Sequence, residues 1–292
     1  MSGNSAKNSK QERRAAAREQ AAQLKRQQEA AEKRQKTIMF SVIGVAVAGL
    51  VALAVFIGVG SGSSIPNFDA SLPLAQVENV PRHVTSTGGI PIGTDRAAGG
   101  PAAPDAPTLG IYLDFMCNAC HTFETINYLD IDAMVVAGEV NLVLYPVAIL
   151  DANTMSAGTS ASTRTSSALV WIADQAPEST LAWYEAVFLE GPHEMTGGLS
   201  NRQLADIALE VGVAEVVAEG IADGTAVETF GQWVTSFTTE TVSDQALWNP
   251  ALGNFGTPTL TLNGQRSGID WVTPGGLRAG VISATEWTVD IG

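Results

Sequence analysis

Leu109–Glu124 reads LGIYLDFMCNACHTFE, a compact apolar run that ends on Asp114-Phe115-Met116 and passes straight into Cys117-Asn118-Ala119-Cys120. Eight residues of this character suit a buried strand, and the stretch from about Ala119 to Ala137 has helical spacing. Cys117 and Cys120 are the only cysteines among 292 residues. Two cysteines three positions apart close almost no loop, so they do little to restrict an unfolded chain. They suit a pair that switches between dithiol and disulfide at the start of a helix.

Downstream, Gly138 stops the helix and Val140–Leu150 (VNLVLYPVAIL) gives a second buried strand, with Pro146 breaking pairing near its end. Strand, helix, strand predicts a right-handed parallel unit. From about 159 to 246 apolar residues recur at helical spacing, punctuated by Gly191-Pro192, Gly197-Gly198, Gly212 and Gly224. This block is read as a helical insertion. Ser200 offers a helix cap, and Pro177 suits the start of another helix. Strand character returns at Thr257–Leu262, turns at Asn263-Gly264 and leads to an amphipathic stretch around Pro274–Ala284. The order is that of an α/β, thioredoxin-like fold with an inserted helical subdomain.

Upstream lies a different kind of chain. Ile38–Val59 reads IMFSVIGVAVAGLVALAVFIGV, and no charge occurs from Thr37 to Phe68. This is long enough to cross a hydrocarbon core of ~30 Å as one transmembrane helix. Residues 1–36 carry ten Lys/Arg and four Asp/Glu, a net +6, whereas the rest carries six Arg, no Lys and 26 acids, a net −20. Positive residues stay on the cytoplasmic side, which places the large C-terminal part outside. The expected organisation is a basic helical tail (1–36), a retained signal anchor (37–59), an extracytoplasmic linker with a short edge strand or hairpin at 83–92 (60–107), and the thioredoxin-like domain (108–292). A cleaved signal peptide fits less well, because the charged region and apolar run are long and no Ala-x-Ala site follows. The acidic domain disfavours nucleic acid as a partner.

LDFMCNACHTFE, the helical insertion and FGTPTLTLNG (Phe255–Gly264) together resemble the disulfide oxidoreductases of the DsbA type, in the membrane-anchored form common in Gram-positive bacteria. The resemblance runs from Leu109 to the C-terminus. It implies that Cys117 is the exposed nucleophile, Cys120 the buried resolving thiol, and Thr257-Pro258 a cis-proline loop that faces them and binds substrate. It also implies reduced exported proteins as substrates and a quinone-linked membrane oxidase as the partner that regenerates the disulfide. No cofactor is called for. The chain departs from the family between the cysteines, where Asn118 and Ala119 stand in place of the Pro and the aromatic or His of many relatives. The direction of exchange, as oxidase or as reductase or isomerase, therefore stays open.

The chemistry of the pair can also be argued from position. Unpaired N–H groups at a helix N-terminus favour a thiolate at Cys117, and Cys120 lies one turn deeper. Asp114, His121 and Glu124 are candidates to tune these thiols, although a strand-end Asp is more often a solvated cap and Glu124 equally fits an ordinary surface helix. Cys117–His121 also matches C-x-x-C-H, the attachment sequence of c-type haem, with His121 and a Met such as Met155 or Met195 as iron ligands. The strand running directly into Cys117 and the Thr-Pro segment oppose that reading. With only three histidines a closed zinc site is disfavoured, and neither a Gly-x-Ser-x-Gly elbow nor a P-loop is present. A peptide-binding module with a vestigial cysteine pair is the non-enzymatic alternative.

Overall fold

Leu109, Ile111 and Leu113 alternate with Gly110 and Tyr112 along β2 (Thr108–Leu113), and nearly the whole strand is buried. In the computed structural model, which describes residues 65–151, 158–191 and 197–289, this strand is the centre of a five-stranded sheet. The sheet order is β1-β3-β2-β4-β5, with β1 at Ile90–Ile92, β3 at Asn141–Pro146, β4 at Thr259–Leu262 and β5 at Gln265–Arg266. β2 and β3 are parallel, Leu109 opposite Leu142 and Leu113 opposite Pro146, while the other neighbours are antiparallel. Parallel neighbours need a crossover, and α1 (Asn118–Val136) supplies it. β3 stops at Pro146, which has no N–H to continue the ladder.

Between β3 and β4 the chain leaves the sheet for five helices: α2 (Ala161–Gln175), α3 (Thr180–Leu189), α4 (Asn201–Glu210), α5 (Glu215–Ala222) and α6 (Thr225–Ser243). Ser200 caps α4 in a capping box: its hydroxyl accepts from Gln203 N at 3.3 Å, and Gln203 Oε1 accepts from Ser200 N at 2.9 Å. Pro177 opens a short 3-10 turn ahead of α3 rather than α3 itself. The β4–β5 hairpin turns on Asn263 and Gly264, both with positive φ, as a two-residue turn of primed type requires. α7 (Gly276–Val289) closes the described chain. This is the thioredoxin-like arrangement with a helical insertion.

The folded unit begins well before Thr108. β1 pairs with β3, Ile90 opposite Leu144, so this part of the expected linker is a sheet edge strand. Residues 65–82 form an arm along the helical insertion. Phe68 lies on Gly231 of α6 where no Cβ would fit. Asp69 N donates to Gln232 Oε1 at 2.9 Å, and Leu74 N donates to Glu240 Oε1 at 2.8 Å. Arg82 pairs with Asp174 at 3.0 Å. Val77 is buried in the core and Leu72 and Leu74 pack against it, so tether composition misled because these few apolar positions and the polar bonds beside them show no hydrophobic period. The apolar segment 37–59 and the basic tail lie outside the described residues, and no helix among the described residues is long and apolar enough to cross a membrane.

Candidate active site

Cys117 is the N-cap residue of α1, with extended backbone (φ −83, ψ 121), at the point where β2 hands over to the helix. Its N–H donates to Asp114 O at 3.0 Å, and its carbonyl accepts the first helical bond from His121 N at 3.0 Å. Both cysteines are free thiols. Cys117 retains 9% of its surface, while Cys120, one turn into the helix, retains 1%. The two sulfurs therefore differ in access.

They also differ in acidity. The Cys117 thiol is lowered to about 6, first by the hydrogen bond that the Cys120 thiol donates to it and then, against the cost of burial, by the Thr257 hydroxyl and the N–H groups of Cys120 and Ala119. Burial pushes Cys120 well above the ordinary thiol range. At neutral pH the pair thus holds a thiolate at the less buried Cys117 and a thiol at the fully buried Cys120, the polarity that exchange requires.

Thr257 and Pro258 face the pair. The Thr257-Pro258 peptide is cis, and Cys117 Sγ lies 3.4 Å from Thr257 O, to which it donates in its thiol form. Thr257 Oγ1 is buried without a hydrogen-bond partner among the described residues, close enough to both sulfurs to favour a thiolate but outside hydrogen-bonding geometry. The fold thus brings Cys117, Cys120 and Thr257 together across 140 residues of sequence.

Asp114 is not a solvated strand end. It is fully buried: Oδ1 accepts from Met116 N and Ser162 Oγ, each at 2.8 Å, and Oδ2 accepts from Leu150 N at 3.0 Å. Burial raises its carboxyl to about 7 against the pull of those donors. Its role is positional, because it ties the turn that carries Cys117 to the segment after β3 and to α2. His121 is held by α3. Its Nδ1 lies 2.9 Å from the Phe188 carbonyl, which can only accept, so Nδ1 carries the proton.

Glu124 is likewise not on an ordinary surface helix. It is buried on the core side of α1, and one carboxylate oxygen accepts a very short hydrogen bond from Tyr184 OH of α3. Burial raises it to about 8, opposed by the Tyr184 bond and reinforced by Glu185. The signal was in the sequence: Cys120, Phe123, Ile131 and Met134 mark an apolar stripe along α1, and Glu124 falls within it. Tyr184, Ser162 and Phe188 escaped because only the tertiary fold brings α2 and α3 onto the cysteine helix.

A haem does not fit this arrangement. Thioether bonds to both sulfurs would need Cys120 at a surface, and His121 is engaged by Phe188 O; Met155 and Met195 lie outside the described residues. Among the described residues no group of three or more His, Cys, Asp or Glu is placed to hold a metal.

No protein-family model and no curated protein matches the chain. Solved structures do. The MdbA protein of Actinomyces oris, a thiol-disulfide oxidoreductase, is 22% identical with a TM-score of 0.55, over 73% of this chain and 96% of that one. The MdbA protein of Corynebacterium matruchotii, also a thiol-disulfide oxidoreductase, is 17% identical with a TM-score of 0.53, over 69% and 93%. DsbA from Mycobacterium tuberculosis is 22% identical with a TM-score of 0.50, over 68% and 98%. At these identities the likeness establishes architecture, and the architecture of this chain is that of the DsbA-type proteins.

Proposed function

We propose that this chain is a thiol-disulfide oxidoreductase that forms disulfides in exported proteins through Cys117 and Cys120, held outside the cell membrane by the apolar segment 37–59. The observation that carries the reading is the asymmetric pair: a partly accessible, acidified Cys117 at a helix N-cap, opposed by the Thr257 carbonyl, above a buried Cys120 of raised pKa. The low pKa of Cys117 makes it a good leaving sulfur, which favours the oxidising direction. The Lys/Arg-rich tail of residues 1–36, just before the apolar segment, supports the outward orientation. A quinone-linked membrane oxidase is the proposed source of oxidising equivalents.

The chemistry balances as two exchanges. A substrate thiolate attacks Cys117 of the disulfide, the Cys117–Cys120 bond breaks, and Cys120 leaves. A second substrate thiolate then attacks the substrate sulfur of the mixed disulfide, Cys117 leaves as thiolate, and the substrate keeps the new disulfide. Two electrons pass from substrate to enzyme.

The test is oxidation of a reduced, disulfide-requiring protein by the purified chain. Cys117→Ser and Cys120→Ser are each expected to abolish turnover, because neither can form the disulfide, and Cys120→Ser is expected to trap a mixed disulfide on Cys117 only when offered a substrate that already carries a disulfide. Full dithiol-oxidising activity in Cys117→Ser would sink the mechanism. An equilibrium with glutathione that leaves the pair mostly reduced only under strongly reducing conditions would reverse the proposed direction.

A further inference from the structure

Beside the cysteine helix lies a pocket that the exchange chemistry above does not use. It sits between α1 and α3, measures about 200 Å³ including its open mouth, and is lined by Glu124, Thr125, Tyr128, Glu185, Phe188 and Leu189. Its floor has room for about one water-sized group. The lining thus joins two carboxyl groups to two aromatic rings and an exposed leucine.

Acids outnumber cations around this pocket. Arg96 pairs with Glu185 at 3.1 Å and with Asp132 of α1 at 3.0 Å, so a single guanidinium already serves two carboxylates. Glu124 is left with a neutral partner: one oxygen accepts from Tyr184 OH, and the other makes no hydrogen bond among the described residues. Only 4% of Glu124 is exposed, and that remnant faces the pocket it lines. A buried carboxyl with an unpartnered oxygen at the edge of a cavity calls for a donor from outside. His121, three positions earlier, is engaged by Phe188 O at 2.9 Å. No lysine follows Lys36 in the sequence, so the folded part of the chain has no ammonium to offer. Burial raises Glu124 to about 8 and Glu185 to about 7, in keeping with a site that lacks a cation.

We propose that this pocket binds the ammonium group of a substrate lysine, held between Glu124 and Glu185 with its alkyl stem on Phe188 and Leu189. The proposal rests on the exchange reading above and narrows its substrates to proteins with a lysine close to the reacting cysteine. An ammonium is a compact cation with three donors and suits the floor, whereas a planar guanidinium is too large for it. The stem of a lysine packs on apolar surface while its head stays polar. Reach sets the spacing. Glu124 and Thr125 lie seven and eight positions beyond Cys117, about 12 Å along a helix that rises about 1.5 Å per residue. An extended peptide covers that distance in roughly three or four residues.

The experiment measures the rate at which single-cysteine peptides reduce the Cys117–Cys120 disulfide of the purified full chain. The peptides carry lysine, norleucine or arginine roughly two to four residues to either side of the cysteine. Oxidised glutathione gives the intrinsic reactivity of each peptide thiol. Arginine has the charge of lysine, so general attraction to the acidic chain acts on both. The quantity read is the lysine rate over the norleucine rate, corrected for intrinsic reactivity, which cancels any effect of a variant on the cysteines themselves. In wild type it is expected to reach about 10 at one spacing, with the arginine ratio well below it. In Glu185→Gln and in Glu124→Gln it should fall to about 1–2. Should Glu124→Gln fail to fold, Glu185→Gln carries the test alone, because the Glu185 side chain already meets solvent. A wild-type ratio near 1 at every spacing would overturn the proposal, as would an arginine gain equal to that of lysine or a lysine gain that survives Glu185→Gln. A disulfide that no peptide reduces, norleucine included, would instead remove the exchange reading, and wild type alone reveals it.

Discussion

A thiol at about 6 beside a thiol far above the ordinary range is a difference in solvation and hydrogen bonding between two atoms one helical turn apart. Alkylation of the dithiol form should therefore proceed in two stages. Cys117 is expected to react with a midpoint near pH 6, and Cys120 only after unfolding; equal labelling of both at neutral pH would contradict the site geometry. Much of this was legible in the residues, since a thiol at a predicted helix start beside a Thr-Pro segment specifies which sulfur is acidic. The roles of Asp114 and Glu124 were less legible. A carboxylate normally avoids burial, so both sequence positions favour solvent until the donors from Leu150, Ser162 and Tyr184 are in place.

At the scale of elements, the strand-helix-strand unit, the helical block and the hairpin were readable because each has a period or a turn signature. The arm over residues 65–82 was not, because its polar bonds reach side chains more than 90 residues away and its buried apolar positions, Val77 with Leu72 and Leu74, repeat with no period. Within it Phe68 packs on Gly231 and leaves no room for a Cβ. Gly231→Ala should collide with that ring and destabilise the protein by roughly 1–3 kcal/mol, the usual cost of overpacking. Limited proteolysis is expected to cut the arm first in this variant. Adding Phe68→Ala should relieve the clash, and a double variant no better than Gly231→Ala would show that the strain lies within α6 instead.

For the molecule as a whole, the shifted groups pull stability in opposite directions with pH. Asp114, Glu124 and Glu185 have folded pKa values raised to about 7, 8 and 7, so their contribution is fully present below the ordinary carboxyl range and is lost as pH rises through those values. Cys117 is depressed, so its contribution is present above the ordinary thiol value and is lost as pH falls through about 6. Only the dithiol form carries the Cys117 contribution, because a disulfide has no thiol to titrate. The melting temperature of the dithiol form minus that of the disulfide form should therefore rise steadily between about pH 6 and 9. A flat difference over that range would mean that Cys117 is not acidified by the fold.

The arm has a mechanical consequence as well. Any tension applied at Ile65 meets the Phe68 contact, the Gln232 and Glu240 bonds, and then the Arg82–Asp174 pair before it reaches β1. These fastenings lie in series along α6 and at the end of α2. Tension at that point is thus taken up as peeling of the arm, link by link, and the sheet is strained only after the last link gives.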